Sequence, residues 1–188
     1  MARDNPRRDQ IAEAATGYVL EHGLIGLSLR PMAAWIGTSD RMLLYHFGSK
    51  DDLVAAVLQV SNDRSVLEVR ALPPAADARS AVRTLWSAMC STQLERCQRM
   101  YVEAAALGLF GQEPYASVVR DANKVWLAAL ADHLVTSGCP RVRAPRAATL
   151  LDAALSGFLL DLPLDPDDHA QARAVEDLAD AVAAVAAS

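Results

Sequence analysis

The chain has 188 residues, enough for one or two compact domains, and 52% of them are hydrophobic. Its first residues lack the apolar core of a signal peptide, and no apolar run is long enough to cross a bilayer, so we expect a cytoplasmic protein with no membrane partner. The net charge of −5 argues against a uniformly basic surface, but residues 1–50 hold six basic and five acidic residues, so the excess acid lies elsewhere.

The composition also limits the fold and the chemistry. Abundant alanine and the scarcity of alternating β-branched or aromatic residues predict an all-α chain of about nine helices. We find no Glu-x-x-His pair, no glycine-rich phosphate loop and no nucleophile elbow, and the four histidines are scattered without metal spacing. The sequence therefore predicts a protein that is not an enzyme, with no metal site and no cofactor.

The first predicted helix runs from about Arg7 to His22, and Gly23 is a natural left-handed stop. Its apolar residues recur at helical spacing and form one stripe, which we expect to pack on the next two helices. Arginines at the extreme N-terminus could form a flexible arm that reaches DNA phosphate or a minor groove: Arg3, Arg7 and Arg8.

Residues 27–53 break into three short helical pieces separated by Gly37 and Gly48. Ser28 is the expected N-cap of the first piece, with its hydroxyl bonded to the Arg30 amide. The second piece begins at Thr38-Ser39 and is expected to bury an apolar side. Its predicted buried residues are Met42, Leu43 and Phe47. Ser49 opens the third piece, and Asp52 is its capping-box partner.

Helix, glycine turn and short helix is the spacing of a helix-turn-helix, in which the second helix enters the DNA major groove. The polar side chains crowded onto the second helix and its flanks suit this use, since some can bond to base edges and others to phosphates. We predict base contacts from Arg30, Ser39, Asp40 and Arg41. We predict phosphate contacts from Ser28, Thr38, Tyr45, His46 and Lys50. Packing of the corner with the following helix is the competing interpretation for Tyr45 and His46.

The run G-T-S-D-R-M-L-L-Y-H-F-G-S-K-D-D-L resembles the recognition-helix signature of the tetracycline-repressor (TetR) family of bacterial transcription regulators, and R-R-D-Q-I-A-E-A-A-T-G-Y-V-L-E-H-G resembles the family's first helix. The match covers about the first quarter of the chain. Leu44 stands where the family usually has an aromatic residue, and Arg41 stands where it has a small one. The resemblance implies a DNA-binding N-terminal domain, an effector pocket and a dimer.

A long helix from Lys50 to about Arg70 is predicted next, with Leu67 expected on its apolar side. It would connect the predicted helix-turn-helix domain (the reader) to the rest of the chain. Pro73-Pro74 breaks it. We therefore predict a DNA-binding domain over residues 1–50, a connector over about 50–70, and an effector-binding and dimerisation domain over 73–188.

Three helices are predicted next, over about 77–97, 99–110 and 114–137. The resemblance implies that this region and the following helix form an effector pocket for a small apolar or amphipathic molecule. Burial in the hydrophobic core is the competing interpretation for each residue taken alone. The candidate pocket residues are Trp86, Met89, Tyr101, Glu103, Phe110, Tyr115, Trp126 and Phe158. Cys90 and Cys97 lie two helical turns apart and could share a face, but buried reduced thiols are the simpler interpretation.

The last two helices are predicted over about 144–161 and from Asp165-Pro166 onward. The last helix repeats apolar residues at alternating three- and four-residue spacing, which indicates a heptad seam. We predict that the two helices pair with those of a second copy in a four-helix bundle. The predicted interface residues are Leu151, Leu155, Phe158, Val175, Leu178, Val182 and Val185. A monomer that buries both helices internally is the alternative.

The leading hypothesis is a homodimeric repressor that binds a palindromic operator in double-stranded DNA and releases it when a small molecule binds the C-terminal domain. The competing hypothesis is a helical adaptor or ligand-binding bundle whose C-terminal helices bind another protein. The sequence does not identify the effector or the operator.

Overall fold

The computed structural model describes residues 6–161 and 168–188, and every regular element in these ranges is an α-helix, which confirms the all-α prediction. The helices, in chain order, are α1 (Pro6–His22), α2 (Leu29–Trp35), α3 (Asp40–Phe47), α4 (Lys50–Ala71), α5 (Ala78–Met89), α6 (Thr92–Leu109), α7 (Tyr115–Thr136), α8 (Ala144–Asp161) and α9 (Asp168–Ala187). The proposed arm residue Arg3 and the predicted cap Asp165-Pro166 lie outside the described residues.

The chain divides into two compact units, and the first comprises Met1–Arg64 and Arg99–Ala122. Within it α1 packs on α2 and α3, as the apolar stripe of α1 predicts. Because α2 and α3 are short, the three helices share their core with residues of α4 and α6. The largest fully buried side chains of this core are Val19, Leu24, Met32, Leu43, Leu53 and Val54.

The second unit comprises Ser65–Gln98 and Asn123–Ser188. Here α9 packs on both α5 and α8, and one core joins these helices to the later part of α7. The largest fully buried side chains are Leu85, Leu94, Leu130, Leu134, Leu151 and Leu155.

The compact units do not coincide with the division predicted from the sequence. The chain break at Pro73-Pro74 was expected to separate two domains, but residues 99–122 belong to the same unit as the N-terminal helices. Their buried residues Met100 and Ala104 are part of that unit's core. A break in secondary structure marks where a helix ends, and it carries no information on which distant segment packs alongside. The functional division into reader and effector domain remains a prediction.

The helix predicted over 77–97 is two helices in the structure. It ends at Met89, and the next begins at Thr92, although neither glycine nor proline marks the break. The Ser91 hydroxyl accepts a bond from the Leu94 amide at 3.4 Å and so caps α6. Cys90 is exposed at this turn and Cys97 is buried within α6, so the two thiols do not share one helix face as the spacing suggested.

The seam predicted to bind a second copy is buried within the chain. Val175, Leu178 and Val182 are at most 6% exposed, and they pack in the second unit's core. Leu151 and Leu155 of α8 are buried in the same core, and Phe158 and Val185 are partly buried against it. The heptad pattern correctly marked an apolar helix face, but α5 and α8 of the same chain cover that face. Five of the seven predicted interface residues are thus internal to this chain, and a dimer contact through these two helices remains a prediction.

Ion pairs flank the α5–α9 contact. Arg83 bonds Glu176 through Nε and Nη2 at 2.8 and 2.5 Å, and Arg79 pairs with Asp180 one helical turn further along. These exposed pairs align the two helices while the apolar seam supplies most of the burial.

Two other assignments of buried faces differ from the structure. Leu67 is 64% exposed and Met42 is 42% exposed. The buried side chains beside Leu67 in α4 are Val66 and Val69, and those of α3 are Leu43 and Phe47. A membrane-spanning helix is not found within the described ranges.

Candidate nucleic-acid interface

The turn between α2 and α3 has the geometry that a helix-turn-helix needs. Gly37 has φ +73°, its amide donates to the Ala34 carbonyl, and the Thr38 amide donates to the Ala33 carbonyl. This pair of bonds is a Schellman motif, which ends α2 and favours glycine at the left-handed position. The chain is thereby redirected within a few residues into α3.

Helix α3 buries only one narrow face. Leu43 and Phe47, four residues apart, are buried in the core of the first unit. The guanidinium of Arg8 in α1 lies over the Phe47 ring, 4.8 Å from its centroid, so this arginine belongs to the packed domain and not to a free arm.

The rest of α3 is open to solvent and carries several of the predicted contacts. Asp40 and Arg41 are exposed at the first turn, and Tyr45 is 78% exposed one turn later. The predicted partners Ser28 and Arg30, at the start of α2, are also exposed. The structure therefore leaves these five side chains accessible to a nucleic acid.

Local hydrogen bonds already occupy some of the predicted DNA contacts. Ser39 is the N-cap of α3, and its Oγ accepts from the Met42 amide at 3.2 Å. Asp40 Oδ1 accepts from the Arg41 backbone amide at 2.8 Å. Both side chains serve first to order the start of α3.

Ser28 and Lys50 also differ from expectation. Ser28 stands at the N-cap of α2 with an extended backbone, but its hydroxyl makes no capping bond, so the predicted bond to the Arg30 amide is absent. Lys50 Nζ donates to the Leu27 carbonyl, which ties the start of α4 to the segment before α2. Ser49 and Asp52 bond each other as predicted, with the Asp52 amide 3.0 Å from Ser49 Oγ.

Thr38 and His46 are only partly exposed. The His46 ring meets the Tyr45 ring edge-on at 5.2 Å, and its buried Nδ1 has no hydrogen-bond partner among the described residues. The packing interpretation of His46 thus gains support, whereas Tyr45 projects outward.

Two apolar side chains on the exposed part of α3 were not among the predicted DNA contacts. Met42 and Leu44 are 42% and 41% exposed, beside Arg41 and Tyr45. Apolar side chains in this position can contact a thymine methyl group. The available signal was the length of α3, because eight residues with only two buried positions must leave the other apolar residues outside.

The predicted effector residues are divided between the two compact units. Tyr101, Glu103, Phe110 and Tyr115 belong to the first unit, and Trp86, Met89, Trp126 and Phe158 belong to the second. Phe110 is 86% exposed at the end of α6, and Met89 is buried in the core.

Glu103 has a well-defined partner in the first unit. Its Oε2 accepts from the backbone amides of Leu24 and Ile25 at 2.6 and 2.8 Å. A carboxylate on a largely apolar helix needs hydrogen-bond partners, and these two amides, almost eighty residues away in sequence, supply them.

In the second unit the aromatic candidates make specific contacts. Trp86 and Phe158 meet edge-on at 5.7 Å, and Trp126 Nε1 donates to Asp152 Oδ1 at 2.8 Å. Burial raises the pKa of the Asp152 carboxyl, while the Trp126 bond acts in the opposite direction. Asp152 was not among the sequence candidates.

Two shallow clefts flank the Arg83–Glu176 pair. One, of about 280 Å³, is lined by Arg83, Trp86, Ala172, Val175 and Glu176. The other, of about 430 Å³, is lined by Leu72, Arg83, Thr84, Ser87 and Ala88. Of the predicted pocket residues, Trp86 lines the first cleft.

The sequence matches no protein-family model and no curated protein. Among solved structures, a protein described as a TetR-family transcriptional regulator from Rhodococcus sp. is 22% identical, with a TM-score of 0.68 over 95% of this chain and 97% of that one. A TetR transcriptional regulator from Legionella pneumophila is 18% identical, with a TM-score of 0.69 over 97% of each chain. The multidrug binding protein EbrR, solved with proflavin, is 26% identical, with a TM-score of 0.67 over 92% of this chain and 97% of that one.

These likenesses extend over nearly the whole chain, whereas the sequence signature covered only its first quarter. They agree with the resemblance inferred from the residues of α1 and α3. The chain has the fold of the TetR-family transcriptional regulators.

Proposed function

We propose that this protein is a sequence-specific DNA-binding transcriptional regulator of the TetR type, which acts as a ligand-responsive homodimer. The observation that carries the proposal is the exposed surface of α3, which follows a Schellman turn and presents Arg41, Met42, Leu44 and Tyr45 to solvent. This surface offers a guanidinium, two apolar groups and a phenol within two helical turns, which suits a major groove.

The residues proposed to contact DNA differ in how freely their side chains can reach it. Arg41 and Arg30 are free to reach base edges, and Tyr45 is free to reach a phosphate. Ser39 and Asp40 would contact DNA through atoms not already used in capping α3.

A homodimer requires a surface other than the buried seam. We propose the opposite face of α8, where Leu150, Ala153, Gly157 and Leu160 recur at three- and four-residue spacing. Leu150 and Leu160 are 37% and 49% exposed, and a side chain added at Gly157 would meet nothing within 4 Å. Small residues between two leucines let a second helix approach closely.

Ligand response is proposed from the fold and from one solved structure with this fold. EbrR is described as a multidrug binding protein and was solved with proflavin and with imidazole. In this chain Trp86 and Phe158 provide partly exposed aromatic surface in the second unit, and the buried Trp126 bonds the Asp152 carboxylate. An aromatic cation is therefore a suitable first probe.

The competing adaptor hypothesis relied on the C-terminal seam as a surface for another protein. That seam is covered by helices of the same chain, which removes the feature that motivated the hypothesis.

The test is selection of random double-stranded DNA on the purified protein at physiological salt, followed by sequencing. We expect enrichment of a palindrome whose half-sites lie about one DNA turn, roughly 34–36 Å, apart. Absence of any enriched sequence with a folded, dimeric protein would contradict the proposal. Light scattering after size-exclusion chromatography supplies the oligomeric state on the same sample.

A further inference from the structure

The segment between α1 and α2 is held by side chains from two distant helices. Its first part, Leu24 and Ile25, donates both amides to Oε2 of Glu103 on α6, and its last part, Leu27, accepts from Lys50 on α4. All of these residues belong to the first unit. The segment leads directly into α2, the first helix of the proposed reader.

The Leu24 and Ile25 amides are better satisfied by an ionised carboxylate than by a neutral acceptor. Two amides at 2.6 and 2.8 Å share one oxygen, and hydrogen bonds to an ionised acceptor are stronger than those to a neutral one. These amides follow the end of α1, where Gly23 takes φ +84° and its own amide donates to the Val19 carbonyl. Helix α1 itself therefore uses neither amide.

The short distance between residue 23 and the Glu103 carboxylate also explains why the residue before the two amides is glycine. A Cβ at Gly23 would lie 3.3 Å from both carboxylate oxygens of Glu103, in addition to the cost of a positive φ. Glycine at this position thus serves both the end of α1 and the seating of the carboxylate.

We propose that Glu103 is a positioning residue for DNA binding: through the Leu24 and Ile25 amides, α6 holds the α1–α2 segment and with it helix α2. This proposal rests on the proposed function, since DNA affinity is one of its readouts.

The experiment compares the full-length protein with Glu103→Ala, Glu103→Gln and, as a matched control, Glu21→Ala. Glu21 is an exposed carboxylate of α1 in the same unit, so its removal changes the net charge equally. Amide hydrogen exchange is measured at Leu24, Ile25 and α2, and affinity is measured on the selected DNA. Thermal midpoints show that each variant is folded under the assay conditions.

For Glu103→Ala we expect exchange at Leu24 and Ile25 to quicken by roughly tenfold or more, and DNA affinity to fall by about tenfold, as lost charge-assisted bonds imply. Glu103→Gln keeps an acceptor without the charge and should lie between the alanine variant and the native protein. Glu21→Ala should match the native protein in both measurements.

Unchanged amide exchange at Leu24 and Ile25 in Glu103→Ala would show that the Glu103 carboxylate does not hold these two amides. Faster exchange with unchanged DNA affinity would overturn the positioning role. If the native protein binds no DNA, the proposed function fails separately, and the exchange data at α2 still decide whether Glu103 holds the reader.

Discussion

At the scale of single residues, Arg41 is the side chain on which the proposed specificity depends most. It is exposed on α3, and its backbone amide, not its guanidinium, bonds Asp40. The guanidinium is therefore available for bidentate bonds to a guanine edge.

Arg41→Ala should relax the sequence preference at one base position, by roughly tenfold in the ratio of affinities for selected and scrambled DNA. Competition binding at constant salt measures that ratio. Arg120→Ala removes an exposed arginine of α7 in the same unit and should leave the ratio unchanged. Equal loss on both DNAs for Arg41→Ala would refute base reading.

Lys50→Ala should weaken binding to selected and scrambled DNA alike, because a lysine contacts phosphates without regard to sequence. The slope of log affinity against log salt should become shallower by about one. The Leu27 carbonyl also loses its bond to Nζ, so part of the loss would persist at high salt. An affinity loss confined to the selected sequence would contradict the phosphate role.

At the scale of elements, α3 is short and depends on its first turn. Ser39 caps it through the Met42 amide, and isolated helices of this length are unstable without such support.

Ser39→Ala should lower the free energy of unfolding by about 1 kcal/mol, since an N-cap acceptor is lost. Ser39→Asn, which retains an acceptor, should restore most of that energy. Urea denaturation without DNA measures both variants. Identical stability of the alanine and asparagine variants would show that the cap is energetically unimportant.

At the scale of the whole molecule, the oligomeric state follows from which helix faces the chain leaves uncovered. The heptad seam of α9 is internal, so association must use other surfaces, and α8 offers Leu150, Ala153 and Leu160 on one exposed face.

Ala153→Arg should convert the proposed dimer to a monomer, because a charged, bulky side chain would separate closely packed helices. Light scattering should then give the mass of one chain, and affinity for the palindrome should fall. Ala128→Arg, at an exposed alanine of α7, is the matched control and should remain dimeric. A dimer that survives Ala153→Arg would exclude this face of α8.

The pH dependence of the free energy of unfolding should reflect the protonation of His133. It is 5% exposed, burial lowers its pKa from 6.5, and its Nε2 has no hydrogen-bond partner within the described part of the chain. The unfolded chain takes up a proton near pH 6.5 while the folded chain resists it, so stability is lost as the pH falls from 6.5 towards the lowered native pKa.

His133→Gln should remove this dependence and make the thermal midpoint less sensitive to pH between about 7 and 5. The exposed His22→Gln serves as the control and should retain the native profile. An unchanged pH slope in His133→Gln would mean that another group titrates in this window.

Much of the local structure could be predicted from the residues themselves. Gly23, Gly37 and Gly48 end helices because their φ values are positive, and Ser39 and Ser49 begin helices because short hydroxyl side chains satisfy free amides. These interactions span a few residues, so their signals are contiguous in the sequence. The break at Cys90 was missed because Ser91 alone caps α6, without glycine or proline.

Periodicity likewise identified apolar helix faces but not their partners. The spacing of Val175, Leu178 and Val182 is the same whether the covering helix belongs to this chain or to another, and only the tertiary structure assigns the seam to the internal core. The same limit applies to the compact units, where residues 99–122 join the N-terminal helices.

The all-α class, the helix-turn-helix spacing and the exposed polar character of α3 were determined by the sequence alone, because they depend on neighbours within two or three helical turns. Tertiary structure decided that Glu103 binds the Leu24 and Ile25 amides, that Lys50 binds the Leu27 carbonyl, and that the apolar seam of α9 is internal. Those pairings join residues that are distant in sequence, and only the packing of the folded chain brings them within hydrogen-bond or van der Waals contact.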